Sequence, residues 1–205
     1  MTYVDRAVGS VLNLVPRLLG AYERELHGAI EEAVREAPST VVDVGSADGY
    51  YAVGLALRLP AATVYAFDPD RFQRSLCGEV ARVNGAAARV RQGGGCDAST
   101  LLTLPLRDAF VVVDCEGCEV ELLDPERVPL LRRSKVLVEL HEHVDPTAAE
   151  IPARFSATHD LRLISPEPRR AEDYPELSEL GPDAGELVLE EFRQQAARWA
   201  LLTPR

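Results

Sequence analysis

Apolar residues recur at three- and four-residue steps from the start of the chain. Val8, Val11, Leu12 and Val15 make one run, and Leu19, Tyr22, Leu26, Ile30 and Val34 continue it. That period predicts helix. Pro16 lacks an N–H and crowds the preceding turn, so it is expected to break or kink the run, giving two helices. Pro38 and Ser39 close the second.

Beyond residue 38 the pattern alternates. "TVVDVG" reads as a short buried strand and "YYAVGLALRL" as a helix. "ATVYAFDPD" is a second strand, followed by a helix that Asn84 and Gly85 close. "ARVRQG" is a third strand, and "DASTLLTL" a short helix with Asp97 as its N-cap. "AFVVVDCEG" and "KVLVELHEH" are strands four and five around a helix broken at Pro125. "TAAEIPARFSATH" is read as helix and "DLRLISP" as a sixth strand. Residues 166–185, rich in Pro and Glu, read as a loop or lid. "ELVLEEFRQQA" fits a helix or a strand, and "RWALLTPR" a last strand.

Strands alternating with helices predict βαβ units, hence a doubly wound, Rossmann-like, mostly parallel sheet with helices on both faces. The 205 residues are one domain's worth: a helical extension over 1–38 and a core over 39–205. A net charge of −11 argues against nucleic acid or anionic membrane as partner. No apolar run reaches the roughly 20 residues that span a bilayer. "RAVGSVLNLVP" is followed by Pro16 and Arg17 without an A-x-A site, so it is not read as a signal peptide. The expected compartment is the cytoplasm.

The candidate chemistry begins at "VVDVGSADGYYAVGLA". Gly45 and Gly49 would let the backbone turn tightly and approach a ligand where the first strand meets a helix. Ser46 and Ala47 lie between Gly45 and Asp48. The third glycine of a dinucleotide loop is missing, as is the lysine of a P-loop. Asp48 would repel a pyrophosphate. Asp43 and Asp48 suit a ligand with a positive end, and S-adenosylmethionine carries a sulfonium and an ammonium but no phosphate. Asp68 closes the second strand 23 residues beyond Gly45, where an acid accepts ribose hydroxyls. Asp97 follows the third strand and could accept from an adenine amino group. Each acid has a plainer use as well: a turn, or an N-cap.

These stretches resemble class I S-adenosylmethionine-dependent methyltransferases over roughly residues 40–145. "VVDVGSADGYYAVGLA" is similar to that family's first motif and "VYAFDPD" to its second. "VVVDCEGCEVELLD" with "KVLVELHEH" resembles the FkbM type, through Asp114, Glu116, Gly117, Glu119 and Leu123. Ala47 stands where the family more often has glycine, and Cys115 where an apolar residue is usual. The resemblance implies a seven-stranded sheet with an antiparallel last strand. It implies Asp43 near the methionine amino group, Gly45 along the methionine moiety, Asp68 at the ribose and Asp97 at the adenine.

A hydroxyl acceptor needs a base or a metal to take its proton. Asp114, Glu139 and His141 are the candidate catalytic residues, at the ends of strands four and five. Alternate strand positions share a face, so Glu139, His141 and His143 could point one way. With Asp114 they could hold Mg²⁺ or a softer divalent ion. In the other arrangement His141 is the general base and Glu139 orients it. A polar sheet edge is the plain alternative, with Glu116 and Glu119 serving a helix N-terminus.

The expected activity is O-methylation of a hydroxylated small molecule such as a sugar or secondary metabolite. N-methylation, a nicotinamide oxidoreductase and a binding module without catalysis are the alternatives. The segments outside the shared core suit acceptor selection or a homodimer contact. The four cysteines predict no disulfide framework. Cys115 and Cys118 form a C-x-x-C near a helix N-terminus, where a redox pair would sit, but Glu116 and Glu119 would raise their thiol pKa values, so they are read as small buried thiols.

Overall fold

A computed structural model describes residues 1–4, 11–190 and 198–205. One sheet of seven strands organises the chain, in the order β3-β2-β1-β4-β5-β7-β6. The strands are β1 (Thr40–Val44), β2 (Thr63–Phe67), β3 (Val90–Gly93), β4 (Phe110–Val113), β5 (Lys135–Leu140), β6 (His159–Ile164) and β7 (Arg198–Pro204). The first five are parallel, and β7 runs antiparallel to both β5 and β6. The expected sheet, strand count and final strand direction are all present.

β1, β4 and β5 are buried at every position. That is why "FVVV" and "KVLVEL" read as unbroken runs rather than alternating ones: helices cover both faces. One core packs α2 (His27–Glu36), α3 (Tyr50–Arg58) and α4 (Arg71–Val83) on one face. The other holds α5 (Ala98–Leu102), α6 (Glu119–Leu122) and α7 (Ile151–Arg154).

The N-terminal reading needs correction. Pro16 lies inside α1 (Val11–Leu19) and does not divide it. The break falls at Gly20, which takes φ 69. The Pro16 carbonyl accepts from the Ala21 and Tyr22 N–H groups at 2.7 and 3.1 Å, so the chain ends its helix there without orphaned acceptors. Val8 lies outside the described residues.

Residues 166–185 hold two 3₁₀ turns, Ala171–Asp173 and Pro175–Leu177, and the start of α8 (Pro182–Leu189). With the rest of α8 they dock beside the end of α1, through a small core of Ala21, Tyr174, Leu177 and Leu189 against which Leu19 packs. Arg169 ties the two together, donating to the Ala21 carbonyl at 2.7 Å and to Glu25 at 2.9 Å. "ELVLEEFRQQA" begins as helix, and its remainder from Glu191 lies outside the described residues. "TAAEIPARFSATH" forms a 3₁₀ turn over Pro146–Glu150 and the single turn α7.

Candidate active site

The carboxyl ends of the five parallel strands lie along one edge of the sheet. The strand order reverses between β1 and β4, which opens a crevice at that edge. Gly45, with φ 88, follows β1 directly. A β-carbon on it would run into the Asp114 carbonyl after β4, so the loop beyond β1 and the loop beyond β4 abut without space for a side chain.

The loop from Gly45 to Gly49 is stitched to β2. The N–H groups of Gly45 and Ser46 both donate to the Phe67 carbonyl, at 2.9 and 3.0 Å. Gly49, with φ 93, donates to the Ser46 carbonyl and precedes α3. A β-carbon there would crowd Cys77 and Val53. Ala47 takes φ 45, a left-handed conformation that glycine would hold with less strain. Its N–H donates to Asp68 Oδ2 at 2.9 Å, while Asp68 Oδ1 accepts from the Asp70 N–H at 2.8 Å. Asp68 therefore fixes the loop and stands at the end of β2 with lone pairs to spare.

Asp43 is buried in β1, and its Oδ2 has no hydrogen-bond partner. Burial, then the nearby charge of Asp114, pushes its carboxyl up to about 8. A cationic ligand group in the crevice would favour the ionised form. Asp48 stands differently. Both its oxygens accept from Arg17 Nη1, at 2.9 and 2.7 Å, and the pair is nearly shut off from solvent. The Arg17 guanidinium also sits over the rings of Tyr22 and Tyr50. Asp97 caps α5: its Oδ1 accepts from Ser99 Oγ, the Thr100 N–H and Thr100 Oγ1. These bonds hold its exposed carboxyl down at about 2.

Asp114, Glu139 and His141 converge beyond β4 and β5, with one ligand atom from each inside a 4.8 Å span. β5 ends at Leu140, so the shared strand face stops short of His141 and His143. His141 sits in the turn that follows, and exposed His143 only sets its ring edge-on to it. His141 Nδ1 lies 2.7 Å from Glu119 Oε1. Glu119, the first residue of α6, is fully buried and also accepts from the Cys115 and Gly117 N–H groups at 3.1 and 2.9 Å. His141 Nε2 is left facing Asp114, Glu116 and Glu139 at 3.4–3.6 Å.

Burial works against a charge on His141, yet the Glu119 bond and the carboxylates of Glu119, Asp114 and Glu116 outweigh it and hold its pKa above the ordinary value. Burial likewise raises Glu119, but its bond to His141 and the backbone N–H groups bring it below the usual carboxylate value.

No protein-family model matches the chain, and neither does any curated protein. Solved structures do. The chain is similar to the O-methyltransferase TomG of Streptomyces achromogenes, in complex with SAM and involved in tomaymycin synthesis. The TM-score is 0.57 at 16% identity, over 99% of this chain and 92% of that one. An O-methyltransferase from Bacillus cereus in complex with SAH gives 0.57 at 11% identity, over 97% and 96%. A precorrin-6y C5,15-methyltransferase from Geobacter metallireducens gives 0.57 at 11%, over 84% and 85%. The fold is that of the S-adenosylmethionine-dependent methyltransferases. At these identities it is the fold that is shared, and the site must be argued from its own residues.

Three features escaped the sequence reading. Arg17 takes up Asp48 from 31 residues upstream. Glu119, rather than Glu139, holds the His141 ring. Its place in "DCEGCE" was the available signal. Cys115 and Cys118 are joined in a disulfide, not kept as separate thiols. Two cysteines three apart in one tight loop are close enough to join without a wider framework.

Proposed function

We propose that the protein is an S-adenosylmethionine-dependent O-methyltransferase of FkbM-like type, acting on a hydroxylated small molecule. The observation that carries the reading is the contact of Gly45 with the Asp114 carbonyl. It sets a loop suited to a cationic nucleoside edge to edge with a carboxylate–imidazole cluster suited to a hydroxyl. On this reading Asp43 balances the positive methionine end, and Gly45, Ser46 and Gly49 shape the loop around it. Asp68 takes the ribose hydroxyls and Asp97 the adenine amino group, through its less occupied Oδ2. Asp48 acts from behind, holding the loop through Arg17.

His141 Nε2 takes the acceptor's hydroxyl proton. Glu119 fixes Nδ1 as the protonated nitrogen and stabilises the imidazolium that results. When bound, S-adenosylmethionine would supply the methyl group to that oxygen and leave as S-adenosylhomocysteine, the product being a methyl ether. The protein supplies position and charge, and the cofactor supplies the reactive methyl.

A second reading follows from the convergence of Asp114, Glu139 and His141. Two carboxylates and an imidazole fit a divalent ion, with Glu119 as the outer partner that orients the histidine. The imidazole suits Mn²⁺, Fe²⁺ or Zn²⁺ better than Mg²⁺, which prefers oxygen ligands. When bound, such an ion would lower the pKa of an acceptor hydroxyl.

The test is transfer of label from methyl-labelled S-adenosylmethionine to parallel panels of hydroxylated and amine acceptors, with and without Mn²⁺ or Mg²⁺. Labelled ethers, lost in His141→Ala while S-adenosylhomocysteine still binds, support the reading. Label confined to amines would replace it with N-methylation.

A further inference from the structure

The loop 114–118 joins β4 to α6 and presents Asp114 and Glu116 to His141. It is held in an unusual shape. Glu116 takes φ 56 and Gly117 φ 116, two consecutive left-handed residues. A side chain on Gly117 would strike Val144. A non-glycine residue in that region is strained and persists only where its surroundings fix it. Two things fix it here. Glu119 accepts from the Cys115 and Gly117 N–H groups, and the Cys115–Cys118 disulfide closes the loop on itself.

A ring this short removes little freedom from the unfolded chain, so it adds little global stability. Its leverage is local. Both sulfur-bearing residues are half-buried rather than sealed in the core. In a reducing compartment a bond so placed is transient or sensing rather than structural.

We propose that Cys115–Cys118 is a thiol–disulfide exchange site, open to a dithiol reductant, whose state sets the position of the acids around His141. A thiolate of the dithiol attacks one sulfur and forms a mixed disulfide. The second thiol of the reductant then displaces the protein sulfur. One protein S–S bond breaks, one S–S bond forms in the reductant, and two electrons and two protons end on Cys115 and Cys118. With the ring open, Glu116 can leave its left-handed conformation, and the Cys115 and Gly117 N–H groups loosen from Glu119. Only the consequence for methyl transfer rests on the methyltransferase reading.

The test uses the whole chain, poised with reduced or oxidised dithiothreitol and alkylated with excess reagent at neutral pH without denaturant. Mass spectrometry reads alkylation at each cysteine, and amide hydrogen exchange is followed at Cys115 and Gly117. The expected result is alkylation of Cys115 and Cys118 after reduced dithiothreitol but not after oxidised dithiothreitol, while buried Cys77 stays unlabelled in both, with exchange at the two amides faster by about tenfold or more on reduction. A Cys115→Ser/Cys118→Ser variant should exchange fast whatever the dithiothreitol. If that variant fails to fold, the two redox forms of the native chain still decide. Reduction only together with labelling of Cys77, or exchange unchanged by reduction, would overturn the proposal. So would a pair that does not rejoin under oxidised dithiothreitol. No readout here uses S-adenosylmethionine, so failure to bind S-adenosylhomocysteine would remove the methyltransferase reading and leave the exchange site standing.

Discussion

Glu119 Oε1 and His141 Nδ1 lie 2.7 Å apart, with the glutamate fully buried and the histidine nearly so. The contact fixes which ring nitrogen faces the candidate acceptor. A base must be neutral to act, so the rate should rise with pH through the His141 pKa, which lies above the ordinary histidine value. Glu119→Gln removes a charge that favours the imidazolium. The rising limb of kcat should therefore move to lower pH, with a lower plateau because the imidazolium loses its partner. A limb left in place, measured at saturating cofactor, would take Glu119 out of this role.

Asp43 makes a thermodynamic prediction that needs no substrate. Its carboxyl is raised from 3.8 to about 8 in the folded protein. For an acid raised on folding, the unfolded chain gives up its proton first. The Asp43 contribution to stability is thus complete below pH 3.8 and lost as pH rises to about 8. Asp43→Asn should flatten that part of the profile in denaturant titrations from pH 5 to pH 8. It should also weaken S-adenosylhomocysteine binding, because the ligand's ammonium would lose an anionic neighbour.

Arg17 and Asp48 form a buried pair, with side-chain exposures of 7% and 0%. Removing one partner leaves the other charge buried and unpaired, at a cost of about 3–5 kcal/mol. Arg17→Met and Asp48→Leu should each approach that loss. The double variant should lose clearly less than their sum, and chemical denaturation of all four proteins measures the difference. Additive losses would mean that the pair does not couple α1 to the loop.

Gly45→Ala places a side chain against the Asp114 carbonyl in a left-handed backbone. Strain of about 1–3 kcal/mol is the least expected, since the obstacle is backbone and cannot swing away. Cofactor affinity should fall with stability, whereas Ala47→Gly at φ 45 should relax the same loop. Calorimetry on both variants checks the opposite signs.

The sheet was legible because its strands are buried on both faces and leave unmistakable apolar runs. Asp43, near the end of β1, and Asp68 and Asp114, just beyond β2 and β4, stood out as candidates because each lies at the end of such a run. Pro16 misled because a proline late in a short helix forfeits only one hydrogen bond, and Gly20 then offered the better exit. Glu119 and Arg17 were hard to read for another reason. Their partners lie 22 and 31 residues away, and nothing in local spacing reports a contact made by folding. The spacing of Cys115 and Cys118 offered a redox pair, but the neighbouring Glu116 and Glu119 argued for unreactive thiols, and spacing alone does not report that the loop brings the two sulfurs together.

The central claim is that the crevice between β1 and β4 holds S-adenosylmethionine. Calorimetric titration with S-adenosylhomocysteine, with NADH as the parallel ligand and Asp68→Ala as the matched variant, tests it most directly. The account predicts micromolar binding of S-adenosylhomocysteine alone, weakened by about 1.5–3 kcal/mol in Asp68→Ala. No binding, or a preference for NADH, would contradict it.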